Sequence, residues 1–332
     1  MSVEKYRFVF IVLNYNSTME TMRCIDSLQK LYYQGKNIVV VDNASDNQKE
    51  ALAAIEEHCK SMENIHILKN ERNLGYACGN NIGIDYARRI LKADFVCVVN
   101  PDTIVNTETF VENCIELYTK YRYSVCGPKI INNGENKNPI GGYNESIWYT
   151  IHEIFINYKI IVVKKFGLNR FNFFKRYAKK RVEEVVDGES SKEYYSSEEF
   201  INSDILIDRS MKKMLSGACL VFSPAFFEEF TGFCSKTFLY CEERILTCVC
   251  LNMGKRILYS EKIEVIHEGG KSMENTEKNR MERQIRVAKN RAKSDWVVLN
   301  IMLHKSNKKR LREFLVSPVA NFEIFNGELN AR

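Results

Sequence analysis

A carboxylate follows directly on an apolar run in the segment Asp94-Phe-Val-Cys-Val-Val99, Asn100-Pro101-Asp102-Thr103. The run has the length and β-branched content of a buried parallel strand, and Pro101 cannot donate to a ladder, so the strand stops there. Asp102 then stands at a carboxyl-terminal strand end. Open α/β sheets bind ligands outside those ends, where a carboxylate can hold a divalent cation against phosphate oxygens. Taken alone, the same Asp also fits an Asx-turn closing the strand. Two more polar clusters bear on the choice. Asn14-Tyr15-Asn16 follows a first apolar run and Asp42-Asn43-Ala44-Ser45-Asp46 a second, and an Asp such as Asp42 can accept from base or ribose donors. One such loop is a capped helix start, but two of them followed by Asp102 on another strand fit that explanation poorly.

Between these loops, Asn70 to Ile84 carries Gly75, Gly79 and Gly83 at every fourth position. On a helix they form one smooth face that lets a backbone or a ligand approach closely. Each Gly costs that helix about 1 kcal/mol against Ala, which argues for a packing or binding reason. The pattern is not Gly-x-Gly-x-x-Gly and the chain has no Walker loop, which counts against a dehydrogenase or a P-loop NTPase.

The elements that must position these loops alternate. Tyr6 to Leu13, Asn37 to Val41, Ile65 to Leu68 and Phe95 to Val99 read as strands. Thr18 to Tyr33, Asn47 to Cys59, Tyr76 to Leu91 and Thr107 to Tyr121 read as helices. Alternation of this kind predicts an α/β fold with a mostly parallel sheet flanked by helices. From Gly141 to Lys213 it stops. Phe155 to Arg181 mixes Phe and Tyr with many Lys and Arg and has no acidic residue, whereas Val182 to Asp204 is rich in Glu and Asp. That reversal reads as an inserted element, its basic half facing a membrane surface or an anionic acceptor, or pairing with its own acidic neighbour. Strand character returns at Ala218 to Phe222 and Arg256 to Tyr259. The tail from Met273 is helical in pattern, with Trp296-Val-Val-Leu-Asn-Ile-Met-Leu303 followed by Lys305, Lys308, Lys309, Arg310 and Arg312. It fits either attachment to an anionic leaflet or a helix packed on the domain.

The 332 residues can bury a sizeable core, and 45% apolar with 27% charged content is that of a globular protein. No apolar stretch approaches the roughly 20 residues a spanning helix needs. Met1-Ser-Val-Glu-Lys-Tyr-Arg runs straight into a strand-like segment, so a cytoplasmic protein, soluble or peripheral on the inner face of the plasma membrane, is expected. The 11 cysteines are odd in number, lack a Cys-x-x-Cys pair and sit mostly in apolar runs, so they read as reduced core residues rather than zinc ligands. A net charge of +6 is modest, and no nucleic-acid partner is expected.

Val12-Leu-Asn-Tyr-Asn16, Val39-Val-Val-Asp-Asn-Ala-Ser45, Asn73-Leu-Gly-Tyr-Ala-Cys-Gly-Asn-Asn-Ile-Gly83 and Asn100-Pro-Asp102, in this order, closely resemble the inverting family-2 glycosyltransferases, especially their rhamnosyltransferase-like branch. Gly127-Pro-Lys-Ile130, Ser216-Gly-Ala-Cys-Leu-Val-Phe222, Gly232-Phe233, Phe238-Leu-Tyr-Cys-Glu-Glu243 and His267-Glu-Gly-Gly-Lys-Ser272 extend the match, which is poor from about 143 to 212.

The resemblance implies a GT-A fold over 1–272, with a nucleotide-sugar half to about 130, an insert at 143–212 and an acceptor half at 213–272, before a basic helical extension at 273–332. It implies transfer from a UDP- or dTDP-sugar to a cell-surface glycan or lipid-linked acceptor, with a Mg²⁺ or Mn²⁺ ion bridging the diphosphate. Asp42 would hold the base, with Asn14 near the nucleoside and Asn16, Asn43, Asn73, Gly75, Asn81 and Asn100 completing the donor site. Asp102 matches the last carboxylate of the family's metal motif, Asn100 stands where many relatives carry a first Asp, and His267 resembles a late His near the metal. Glu243, beside Glu242, aligns with the base that takes the acceptor proton. It carries one more methylene than the Asp of relatives, and Ile245 replaces a later acidic position. A non-catalytic sugar-nucleotide-binding member of the fold is the alternative. A nucleotidyltransferase would need a Gly-rich basic loop after the first strand, which Asn14-Tyr15-Asn16-Ser17 is not.

Overall fold

The computed structural model describes residues 6–166, 204–269, 280–318 and 323–324. Four parallel strands lie at its centre: β1 (Phe8–Asn14), β2 (Lys36–Asp42), β3 (Ile65–Lys69) and β4 (Phe95–Val99). Between them run α1 (Thr18–Gln29), α2 (Gln48–Cys59) and α3 (Gly75–Arg89). The alternation expected from sequence is therefore realised within a few residues at each boundary.

The second half continues the same sheet. After β4 come β5 (Thr103–Val105), α4 (Phe110–Tyr121), β6 (Val125–Asn132), β7 (Glu135–Asn136), β8 (Ile140–Gly141) and α5 (Ile147–Lys165). Then follow β9 (Asp204–Ile207), β10 (Lys213–Met214), β11 (Cys219–Phe222), α6 (Pro224–Phe227), α7 (Glu242–Asn252) and β12 (Ile257–His267). The chain closes with α8 (Arg280–Leu303), α9 (Lys308–Phe314) and β13 (Glu323–Ile324). The sheet order is β13-β3-β2-β1-β4-β11-β6-β12-β5, with β11 antiparallel to β4 and β5 antiparallel to β12.

Side chains of β1 alternate between two cores, as the two-residue strand period requires. Phe8, Phe10 and Val12 pack with α1, α2 and α4 residues such as Ile25, Leu52 and Phe110. Val9 and Ile11 face α3, α7, α8 and α9 through Ile84, Ile245, Ile301 and Phe314. The glycine stripe of α3 serves this packing. A Cβ on Gly79 would lie 2.7 Å from a Leu13 methyl, and one on Gly83 would lie 2.6 Å from Ile11.

Three sequence expectations change. β6 carries Pro128 and shows little strand signal, yet it pairs in parallel with β12, whose register shifts between Ser260 and Glu264 opposite the proline. β9, assigned to the insert, pairs with β12 in the main sheet. The apolar tail patch is core: Val298, Ile301 and Met302 are buried with Leu311 and Phe314, so of the two readings of the tail the packed helix holds. The remainder of the charge-reversed insert, from 167 to 203, lies outside the described residues. All 11 cysteines are free and nine are buried, as their apolar settings imply. No described helix is long and apolar enough to cross a membrane.

Candidate active site

The carboxyl ends of β1, β2 and β4 open into a cavity of about 500 Å³. Tyr15, Asn43, Asn73, Gly75, Asn100 and Asp102 line it, and Arg283, Arg286 and Asn290 of α8 lie across it. A second cavity of about 570 Å³ adjoins it, sharing Tyr76, Asn100, Leu239 and Tyr240. Glu242, Glu243, His267 and Arg291 line this second space, with Tyr149 and Glu153 of α5 on its far wall.

The first two loops are held by one network. Asp42 is fully buried and accepts from Asn14 Nδ2 at 2.7 Å, Ser45 Oγ at 2.7 Å, Ser45 N at 3.1 Å and Gln48 Nε2 at 2.8 Å. Asn14 is fully buried too, its Oδ1 accepting from Ser17 and Thr21. Asn16 exchanges bonds with Asp46, its side chain donating to Asp46 Oδ2 at 3.0 Å and accepting from Asp46 N at 2.8 Å. These three sequence-derived donor residues therefore shape the loops from behind. Asp42 in particular takes four protein hydrogen bonds, while Tyr15 and Asn43 of the same two loops line the cavity.

Asn43 joins the loops laterally. Its Nδ2 donates to Asn73 Oδ1 at 3.0 Å and to the Gly75 carbonyl at 3.2 Å, and its Oδ1 accepts from Asn70 Nδ2 and Leu74 N. Asn81 is turned away from both cavities: it is buried, donating to the Phe233 carbonyl at 2.9 Å and accepting from Phe233 N at 2.8 Å. It clamps α3 to the chain before α7, which corrects its expected place in the donor site.

Asp102 and His267 meet at the junction of the two cavities. The turn after β4 closes through Thr103 N donating to the Asn100 carbonyl at 3.1 Å, so Asp102 is a turn residue as well as a cavity residue. His267 pairs in register with Thr103, and its carbonyl accepts from Asn132 Nδ2 at 2.7 Å, bringing His267 Nε2 to 3.2 Å from Asp102 Oδ1. One residue on, Glu268 is held by both terminal nitrogens of Arg23, at 3.1 and 2.9 Å. The carboxylate oxygen and ring nitrogen suit a Mg²⁺- or Mn²⁺-type ion. No cluster of three or more His, Cys, Asp or Glu able to hold a metal occurs among the described residues, so diphosphate oxygens and water would have to complete the shell.

Glu242 and Glu243 begin α7, directly after two residues in the left-handed region, Tyr240 at φ 77° and Cys241 at φ 67°. Such a pair of non-glycine residues is costly and holds only where the surroundings enforce it. Glu243 is half-buried against Gly217, whose backbone N–H donates to it. A Cβ on Gly217 would lie 2.3 Å from Glu243 Oε1. Tyr76 at the start of α3 donates its hydroxyl to the Gly217 carbonyl at 2.7 Å. A residue of the donor half thus fixes the loop that fixes Glu243.

Burial raises the Glu243 carboxyl above the ordinary carboxylate range, opposed by backbone N–H groups and the Arg291 charge. Glu242 is pushed up to about 8, first by burial and then by the neighbouring Glu243 charge. Carboxyls whose proton affinity is raised by burial in a cavity are the groups from which an acid–base site is built. Ile245, in contrast, is fully buried in the core, and Arg244 forms a buried pair with Asp295 at 3.3 Å. The signal that could have flagged α8 was the arginine spacing Arg283, Arg286, Arg291. It was masked by a basic composition that fits a surface helix equally well.

A family profile described as "Glycosyl transferase family 2" matches residues 9–181. The low-salt glycan biosynthesis hexosyltransferase Agl10 of Haloferax volcanii is 33% identical over 128 residues, covering 37% of this chain and 36% of that protein. The chain thus spans about a third of the length of this curated relative. The crystal structure of S. aureus TarS 1–349 superposes with a TM-score of 0.50 at 14% identity, covering 93% of this chain and 83% of that one. GalNAc-T7, solved with UDP, GalNAc and Mn²⁺, gives 0.51 at 14% identity, covering 80% and 44%. At these identities the two structures speak to the fold, which is GT-A.

Proposed function

The chain belongs to glycosyl transferase family 2, whose profile spans just over half of its residues, and from that premise we propose that it transfers a sugar, with inversion, from a UDP- or dTDP-sugar to a hydroxyl of a cell-surface glycan or lipid-linked acceptor. The observation that carries this reading is the position of Glu243, a desolvated carboxylate in the cavity that also holds His267, whose ring meets Asp102 of the adjoining cavity. Glu243 takes the proton of the acceptor hydroxyl as its oxygen bonds to the anomeric carbon. The bond from that carbon to the diphosphate oxygen breaks, its electron pair leaving with the nucleoside diphosphate. A bound Mg²⁺ or Mn²⁺ ion, with Asp102 and His267 as its protein ligands, would supply Lewis-acid stabilisation of the departing diphosphate. Arg283 and Arg286 add cationic donors on the roof of the donor cavity. The Mn²⁺ of GalNAc-T7 and the hexosyltransferase activity named for the Haloferax relative support a metal-dependent hexosyl or deoxyhexosyl transfer.

A sugar-nucleotide-binding protein without turnover is the competing reading, drawn from Arg244 and Ile245. Ile245 lies wholly in the core, so its departure from the family pattern leaves Glu242 and Glu243 in the cavity. A thermal-shift panel of nucleoside diphosphates and their sugars, with and without Mn²⁺, tests the donor. A ligand at a hundred times its Kd stabilises by about 2.7 kcal/mol, and the absence of a shift with every UDP and dTDP compound rejects the proposal. Glu243→Gln should keep the donor shift and lose transfer by about 10²–10⁴-fold; turnover in that variant assigns the base elsewhere.

A further inference from the structure

Helix α5 is apolar on two sides. Its inner side packs on α8, with Ile156 and Ile160 against Ala288, Thr150 Oγ1 bonding Met302 at 3.4 Å, and Asn157 Nδ2 bonding Asp295 at 3.2 Å. The pairing runs antiparallel, because rising numbers on α5 meet falling numbers on α8. Its outer side carries Trp148, Ile151, Phe155, Tyr158, Val162 and Phe166, spaced by three and four residues, hence in one stripe. Trp148 is 80% exposed, Phe155 66% and Phe166 68%. Scattered exposed apolar residues are ordinary, but an aligned row of six is not.

Along α5 itself the charge beside this stripe is predominantly positive. The only acid of α5, Glu153, lines the second cavity, while Lys159, Lys164 and Lys165 occupy the last turns. On the neighbouring α8 the exposed positions Lys289, Lys293, Trp296, Asn300 and Leu303 follow the same spacing. From 289 to 312 the only acid is Asp295, which is buried against Arg244. An aromatic row flanked by lysines, on a helix whose single acid faces the second cavity, is complementary to an anionic lipid leaflet, into which the rings insert while the ammonium groups meet headgroups. α5 falls short of a membrane span, so it would lie on the surface rather than cross it.

We propose that the outer face of α5, with Trp296 and Leu303 of α8, is the surface on which this protein sits on an anionic membrane. The attachment surface thus joins the start of the insert to the exposed side of the tail helix, the two segments whose basic, apolar sequences left a membrane contact open. Tyr149 and Glu153 of the same helix line the cavity that holds Glu243. A glycan carried on a lipid therefore reaches that cavity from the leaflet side. This last step rests on the transferase reading; the lipid contact itself does not.

Cosedimentation of the full chain with phosphatidylcholine vesicles, with and without phosphatidylglycerol, tests the contact. Binding is expected only with the anionic lipid and is released by salt. Trp148→Glu with Phe155→Glu should lower partitioning at least about tenfold, while circular dichroism and the thermal shift given by a nucleoside diphosphate stay unchanged. Equal binding of wild type and the double variant, or no binding to either vesicle, overturns the proposal. So does a wild-type dimer in light scattering that the same double substitution dissociates, because the stripe is then a contact between copies of the chain. If vesicles bind as expected and no nucleotide shifts the melting temperature, the transferase reading fails and the lipid surface stands.

Discussion

Glu243 depends on an atom that is missing from Gly217. With a Cβ 2.3 Å from Glu243 Oε1, Gly217→Ala must push the carboxylate aside or shift its own loop. A misplacement of about 1 Å can cost on the order of a hundredfold in rate. Gly217→Ala should therefore lower kcat by about that factor and leave the donor thermal shift intact, because Gly217 lies outside the donor cavity. An unchanged kcat would mean that Glu243 is not the base or does not need this position. The neighbouring Glu242 gives a pH signature. Its carboxyl is raised from 4.5 to about 8 in the folded protein, so the folded state holds a proton that the unfolded chain releases over that window. The associated stability is fully present below about 4.5 and is lost as pH rises through about 8. Glu242→Gln should flatten the fall of the melting temperature between these limits, and a wild-type curve that does not fall there contradicts the assignment. Both glutamates were legible as a motif. Their raised proton affinity was not, because it arises from burial by elements far away in sequence.

At the scale of elements, α8 was the hardest to read. Its pattern of Arg283, Arg286, Lys289, Lys293 and Trp296 suits a surface helix, and only the packed chain reveals that one side roofs the donor cavity while another enters the core. A basic helix side gives the same sequence signal whether it faces water, lipid or a phosphate. The donor-half strands and helices were legible because each is a local period with a clear stop. β6 was not, since Pro128 removes a ladder donor and the compensating register shift lies more than a hundred residues away in β12. If the α8 arginines meet the donor diphosphate, Arg286→Ala loses a charge-assisted contact of about 1.5–3 kcal/mol. The donor Kd should then rise by about tenfold or more, more so at low salt, as isothermal titration would read. An unchanged Kd would reduce the α8 roof to a steric cover.

Across the whole molecule, residues from both ends of the chain build one core, which bears on what the C-terminal segment is for. Val9 and Ile11 of β1 share a cluster with Val298, Ile301 and Met302 of α8 and Leu311, Phe314 and Leu315 beyond it. Sequence alone could not choose between an appended amphipathic tail and a packed helix, since both bury the same residues against something apolar. If the tail were an appendage, a chain ending at Glu268 would fold and bind its donor. In this structure the truncation uncovers side chains each worth about 1.5–3 kcal/mol, and a handful of them matches the roughly 5–15 kcal/mol by which a domain is stable. It also leaves Arg244 buried without Asp295, a loss of about 3–5 kcal/mol when one partner of such a pair is removed. The truncated chain should therefore lack a cooperative melting transition and show no donor shift. A soluble, cooperatively melting product that still binds nucleotide would separate the donor site from α8 and restore the tail as an appendage.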